Sequence, residues 1–293
     1  MKKIAVLLLV CTLMAVTLSG CYFNEDFGIG NYMTGESYPD AGNYQTGTFS
    51  YDTAQVQTVE VYWRSGKIEI VESDEAELKV SESGGELSED ASMHYWVDDG
   101  VLRIRFCASE AKIHVKPSDK HLTIEVPKGI VLSIHTTSAP VWVGTLTQNS
   151  ILISTHSGNI EIDSMDATDI DLSSSSGRIS VEDISAESLR CHTSSGSVHM
   201  KNFAADTSYV ETGSGNIELG LIAAESMEIY TSSGKTDLQL PECGAEIAYT
   251  TSSGNLHCVV EYQCKGDLYV FGNGESKISV DTSSGNLNIK ETK

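Results

Sequence analysis

Several sets of side chains in this 293-residue sequence recur at spacings that would bring them side by side, and each suggests a chemistry. Glu187, Asp206 and Glu225 stand 19 residues apart, and three stacked carboxylates would attract a hard cation such as Ca²⁺, which takes oxygen ligands. Glu218 and Asp237 share that separation, and two carboxylates about 5 Å apart are the arrangement of a retaining glycosidase. Ser157, Ser176, Ser195, Ser214, Ser233, Ser253 and Ser284 recur as well. A catalytic nucleophile is a single residue beside a base, so a serine repeated in every period reads as a turn residue. Cys243 and Cys264 fall at nearly the same place in consecutive periods, where either a disulfide or two free thiols is expected. Cys191 and Cys258, like His135 and His192 or His199 and His257, are three periods apart. At about 4.8 Å per layer that is roughly 14 Å, too far for a bridge or a shared metal ion. No His-Glu-x-x-His, Cys-x-x-Cys, Gly-x-Ser-x-Gly or phosphate-cradling loop occurs, so the sequence designates no catalytic residue, no metal centre and no cofactor site.

These placements depend on an element that repeats. Gly158, Gly177, Gly196, Gly215 and Gly234 are each 19 residues apart, Gly254 follows after 20, Gly285 after 31, and Ala139 holds the same place one period earlier. Counted from that position, the residues at −7, −5, +2 and +4 are apolar in 30 of 32 cases, where a 40% hydrophobic composition predicts about 13. A spacing of two is strand alternation. Each period therefore contains a strand, a Ser-Ser-Gly corner, a second strand and a third side carrying Met165, Ile184, Phe203 and Ile222 beside a column of Ala167, Ala186, Ala205 and Ala224. The glycine is expected to turn the chain with positive φ, and the Thr or Ser three residues before it to cap the corner. The expected fold is all-β, a right-handed parallel β-solenoid (β-helix) of about 19-residue rungs with an N-terminal β-hairpin region. Residues 131–293 are the regular repeats; residues 57–130 supply earlier strands, including a hairpin turning at Asp98-Asp99-Gly100. The excess over one period before Gly285 marks an inserted hairpin near Tyr269 and Gly272.

The N-terminus carries an address. Lys2 and Lys3 precede an apolar run from Ile4 to Leu18 that is short for a bilayer span of about 20 residues. Leu18-Ser19-Gly20-Cys21 then matches a bacterial lipobox, in which Cys21 is the acylated residue. Residues 1–20 read as a lipoprotein signal peptide and 21–56, rich in Gly, Asn, Tyr, Ser and Thr, as the lipidated cysteine and a flexible tether. The mature chain is expected to sit outside the cytoplasm, anchored to the membrane. With 41 acidic against 19 basic side chains and a net charge of −22, it would repel a phosphate backbone, which argues against nucleic acid as a partner.

The recurring Ser-Gly-Asn-Ile-Glu-Ile, the opening Val61-Tyr-Trp-Arg-Ser-Gly-Lys-Ile-Glu-Ile and the central Leu122-Thr-Ile-Glu-Val-Pro-Lys resemble the bacterial adhesin-like β-strand-repeat family DUF4097, over about residues 57–290. The resemblance implies a surface-exposed or envelope-associated protein with no established catalytic residues to carry over. Three functions remain open on the sequence. One is a non-catalytic binding or structural module presenting polar strand faces, with the Asn159, Asn216, Asn255 and Asn286 column, Tyr230 and Tyr269 as contacts for envelope glycan, a host surface or a partner protein. The second is an envelope-stress sensor or regulator that binds cationic peptides or a signalling partner. The third is a polysaccharide-active enzyme using Glu218 and Asp237.

Overall fold

In a computed structural model describing residues 33–52, 54–113 and 120–290, the 19-residue period resolves into a 15-residue strand and a four-residue corner. The strands Val141–Thr155, Ile160–Ser174, Ile179–Thr193, Val198–Thr212 and Ile217–Thr231 pair in parallel, each with the next, from end to end. Each runs along one sheet face, across the third side and onto the other face, so its inward residues form the continuous columns expected of a β-solenoid. Ile151, Ile170 and Leu189 stack in one column and Val141, Ile160, Ile179, Val198 and Ile217 in another, all at most 2% exposed. Burying one such side chain contributes about 1.5–3 kcal/mol, and the parallel register repeats the gain in every layer.

The corner explains the glycine, for a reason other than the one expected. None of the seven repeat glycines has positive φ. What excludes a side chain is the layer beneath: a Cβ on Gly177 would lie 1.9 Å from the carbonyl oxygen of Gly158, and one on Gly196 2.0 Å from that of Gly177. The Thr or Ser three residues earlier acts as expected. Thr155, Ser174, Thr193, Thr212, Thr231, Thr251 and Thr282 each accept the N–H of their glycine at 2.8–3.0 Å, and Thr136 does the same for Ala139. The third side departs from the pattern once. A register shift opposite Phe203 seats Leu221 in the core and turns Ile222 outward at 58% exposure, so Ile222 leaves the column predicted for it.

Both ends of the stack are out of sequence order. At the C-terminal end, strands Ser276–Thr282 and Leu287–Lys290 lie between the layer of Ile217–Thr231 and Thr236–Gln239 and the layer of Ala245–Thr251 and Leu256–Cys258. The chain first builds the outermost layer, makes the hairpin Gln263–Lys265 with Leu268–Val270, and returns to fill the gap it had left. At the N-terminal end, Thr58–Trp63 and Lys67–Glu72 lie between the layer of Val131–Thr136 and Val141–Val143 and an outer layer of Val101–Arg105 and His121–Val126. The outer layer is covered in turn by antiparallel strands. His94–Asp98 pairs with Val101–Arg105 through the expected hairpin, whose Asp99 and Gly100 both have positive φ, and Glu77–Ser83 pairs with His121–Val126.

The tether reading of residues 21–56 fails for its second half. Phe49–Asp52 pairs antiparallel with Glu77–Ser83, Gln45–Thr46 with His94–Asp98, and Met33–Thr34 with Lys112–Ile113. Val56 is fully buried and the Phe49 ring stacks on Tyr95 at 3.7 Å. Aromatic residues too sparse to show a period here pack in small groups against the hairpins, Phe49 and Tyr51 with Tyr95 and Tyr38 and Tyr44 with Trp96. Residues 57–130 are likewise part of the stack, and residues 33–290 fall within one compact unit. Residues 1–20 and Cys21 lie outside the described residues.

Candidate binding surface

On the outward faces of the regular layers, the side chains singled out by the sequence are used by the fold or lie open to solvent. Glu187, Asp206 and Glu225 do stack in successive layers, each beside the paired alanine column, but all three are exposed. Among the described residues no three His, Cys, Asp or Glu side chains converge to hold a metal ion, so the stack is not a formed cation site. The asparagine column is engaged in holding corners together. The Oδ1 of Asn159 accepts the N–H of Arg178, that of Asn216 the N–H of Lys235, and that of Asn286 the N–H of Asn255, at 2.9–3.1 Å. The repeated serines lie at exposed corners, as a turn role requires.

Glu218 and Asp237 are adjacent in register, yet their surroundings oppose glycosidase chemistry. Asp237 is 7% exposed and receives Lys235 Nζ at 2.6 Å, Asn288 Nδ2 at 2.6 Å and Lys290 Nζ at 3.2 Å. Burial pushes its pKa upward, but hydrogen bonds from Lys235, Asn288 and Lys290 outweigh that and hold it below the usual carboxylate value. A general acid needs the opposite shift. Glu218 is exposed and pairs with His199 at 3.3 Å. Asp237 instead ties its own layer to the inserted strand Leu287–Lys290.

For the cysteine pair the structure has the second of the two expected states. Cys243 and Cys264 are both free thiols. Cys264 lies in the inserted hairpin, opposite Tyr269, because the chain departs from the repeat there and carries it off the layer that sequence counting assigned to it. Cys243 is half-buried, 4.0 Å from the Ser276 hydroxyl. Cys191 is fully buried, and burial drives its thiol pKa strongly upward, which suits a small core side chain.

The sequence reading missed a cluster on the outward face of the N-terminal layers. Parallel pairing sets Arg105 beside Tyr62 and Tyr62 beside His135, while the antiparallel hairpin sets Trp96 beside Arg103. The Arg105 guanidinium lies 3.8 Å from the centroid of the Tyr62 ring and 5.1 Å from that of Tyr38. Tyr62 stacks on His135 at 5.1 Å, Tyr44 packs against Trp96 at 5.7 Å, and Arg103 lies 5.7 Å from the Trp96 ring. Burial and then the Arg105 charge both lower the pKa of His135, which favours the neutral imidazole. Aromatic faces attract cations through their quadrupole, so the rings hold the guanidinium groups in place on an otherwise acidic protein. No spacing rule could flag these residues, because three separate strand pairings bring them together.

Comparison with known proteins places this geometry. No curated protein matches the chain. Similar crystal structures include one described as a "putative adhesin" from Bacteroides fragilis NCTC 9343, at 13% identity and TM-score 0.49, with 84% of this chain and 97% of that one covered. A second "putative adhesin", from Parabacteroides merdae ATCC 43184, is 12% identical with TM-score 0.49 and coverage of 86% and 97%. A "putative lipid binding protein" from Parabacteroides distasonis ATCC 8503 is 18% identical with TM-score 0.49 and coverage of 85% and 97%. The family profile of Toastrack DUF4097 matches residues 56–290, nearly the whole of the layered region described above, and the chain belongs to that family.

Proposed function

We propose that this protein is a non-catalytic binding module, held at the cell surface by acyl groups on Cys21, that presents its outward sheet faces to an external partner. The observation that carries the reading is the aromatic–arginine cluster, which places rings and guanidinium groups on the outward face of the N-terminal layers. The anchor rests on the apolar run from Ile4 to Leu18 followed by Leu18-Ser19-Gly20-Cys21. No helix among the described residues is long and apolar enough to cross a membrane. The test has two parts. Cys21→Ser should abolish labelling of the chain by a radioactive fatty acid and release it from the membrane fraction, and retained labelling would overturn the anchor. The full chain should bind isolated envelope polymers saturably and leave them intact; cleavage of the polymer would restore the enzyme reading, and absence of binding would overturn the module.

A cationic peptide as partner is favoured by a different observation, the exposed stack of Glu187, Asp206 and Glu225 on a chain of net charge −22. Binding through such a surface should weaken steeply as salt shortens the Debye length from about 30 Å at 0.01 M to about 8 Å at 0.15 M. Salt-independent binding would remove this reading.

A further inference from the structure

An opening on the third side follows from the order of the layers. Between Gly220 and Ser226 the last of the 15-residue strands has no strand partner on its far side among the described residues, because Thr236–Gln239 stops opposite Gly220 and the pairing with Ser276–Thr282 begins at Ser226. The connection 240–244, which carries the chain past the inserted layer, and the connection 271–275 run by this gap without closing it, and leave a cleft of about 510 Å³. Ala204, Ala205, Ala223 and Ala224 form its floor, and Cys243 and Ser276 stand on the side of the two connections. Ser276 is 1% exposed, and its hydroxyl finds among the described residues only the Cys243 sulfur, at 4.0 Å. A buried oxygen in the wall therefore stays able to accept a hydrogen bond from a ligand.

Charge and shape choose the ligand. Asp206, Glu225 and Glu275 are exposed around the floor, Glu275 fixed by the Nδ2 of Asn273 at 2.6 Å, and no lysine, arginine or histidine lines the cleft. On a chain of net charge −22 that rim repels anions. A bare metal ion would leave the floor unused, whereas lysine and arginine lay a long aliphatic stem on apolar surface and keep the charged head among carboxylates. The unpaired strand edge also offers N–H and C=O groups to another main chain. Ile222, turned outward beside Ala223 at 58% exposure, offers an apolar contact to the residue next to the basic one. A polyamine would use neither.

We infer that this cleft is the docking site for an extended basic segment of a partner polypeptide, with a lysine or arginine stem over Ala204 and Ala223, its charged head among Asp206, Glu225 and Glu275, and an apolar neighbour on Ile222. This rests on the reading of a cationic peptide as partner and gives that peptide a place.

Calorimetric titration of the full chain with an octapeptide of alternating lysine and valine tests it, with spermine as the probe that has the charge and no main chain. The octapeptide should bind saturably and spermine at least about tenfold more weakly. Glu225→Gln/Glu275→Gln should weaken octapeptide binding by about ten- to a hundredfold. Glu86→Gln/Glu161→Gln, which removes the same charge at exposed positions outside the cleft, should weaken it by less than about threefold. Ala223→Leu, which fills the floor and leaves the charge alone, should cost about tenfold. Cys243 supplies a readout that needs no variant. At ten times its Kd the octapeptide should slow alkylation of Cys243 by iodoacetamide about tenfold, followed by mass spectrometry, and leave the exposed Cys264 unaffected. Unchanged affinity in Glu225→Gln/Glu275→Gln or Ala223→Leu, an equal loss in the control pair, equal binding of spermine, or an unprotected Cys243 would each overturn the site. Octapeptide binding that survives any of these removes the cleft and leaves the cationic-peptide reading standing on the wider acidic surface, whereas absence of octapeptide binding removes both.

Discussion

The long strands from Val141 to Thr231 and the hairpin-covered N-terminal end bury comparable apolar columns, but they treat polar side chains differently. In the regular layers each residue faces the same place of the next period, so inward positions meet like with like, threonine over threonine at Thr193 and Thr212 and apolar over apolar, while outward positions vary, Asp171 facing Arg190 and His192 facing Glu211. The outward contacts form between successive periods, as where Arg190 lies 4.9 Å from the centroid of the Tyr209 ring and Tyr209 packs against Tyr230 at 5.3 Å. At the N-terminal end, antiparallel strands and out-of-order layers bring unlike sequences together. Lys120, fully buried, reaches Glu82 at 2.8 Å, donates to the carbonyls of Ala91 and Phe106, and lies 4.0 Å from the centroid of the Phe106 ring. Arg105 meets Tyr62 in the same way. There the neighbours come from segments outside the 19-residue repeat, not from successive periods.

The strongest challenge to this contrast is at Lys120. Lys120→Met would leave Glu82 buried without its cation and should cost about 3–5 kcal/mol in urea unfolding, with Lys120→Met/Glu82→Gln recovering part of the loss. A cost under about 1 kcal/mol would show that the irregular end does not depend on this unlike pair. Next is Gly196→Ala in the regular stack, where the new Cβ meets a backbone carbonyl that cannot move away. It should cost about 3 kcal/mol, against less than about 0.5 kcal/mol for Gly85→Ala, which has open space around it.

Asp237→Asn should cost about 1–3 kcal/mol, because it weakens the charge-assisted hydrogen bonds that hold the inserted layer. The sign of the pH effect follows from the lowered pKa. The folded state holds the Asp237 proton less tightly than the unfolded chain does, so its stabilisation is complete above the unfolded value of about 3.9 and is lost as pH falls through the lower folded value. Asp237→Asn should flatten that limb of the stability–pH curve. The smallest effect is expected at Asn216→Ala, which removes one inter-layer hydrogen bond and should cost about 1 kcal/mol.

The sequence disclosed what repeats. The glycine interval, the Thr or Ser three residues before it and the apolar columns were all legible, because each layer imposes the same packing demand. The reason for the glycine was not, since the clash that excludes a side chain is with the layer below and φ carries no trace of it. The layer order was hidden for a related reason. The 20- and 31-residue intervals before Gly254 and Gly285 reveal an insertion, but not that the last repeat pairs on both sides, and that error misplaced Cys264. Arg105, Tyr62 and Trp96 had no common spacing to reveal them, whereas Glu218 and Asp237 had the spacing but not the surroundings.

The out-of-order layers also have a mechanical meaning. If the protein is held by its N-terminus, a pull on the chain first meets Met33–Thr34, Gln45–Thr46 and Phe49–Asp52, short strands that can be peeled away one bond at a time. The load then reaches Thr58–Trp63, which is hydrogen-bonded in parallel to Val101–Arg105 on one side and Val131–Thr136 on the other. Extracting it requires shearing both ladders together. The stack is thus built like a riveted joint behind a sacrificial lead, able to lengthen slightly under tension before its layered body takes the force.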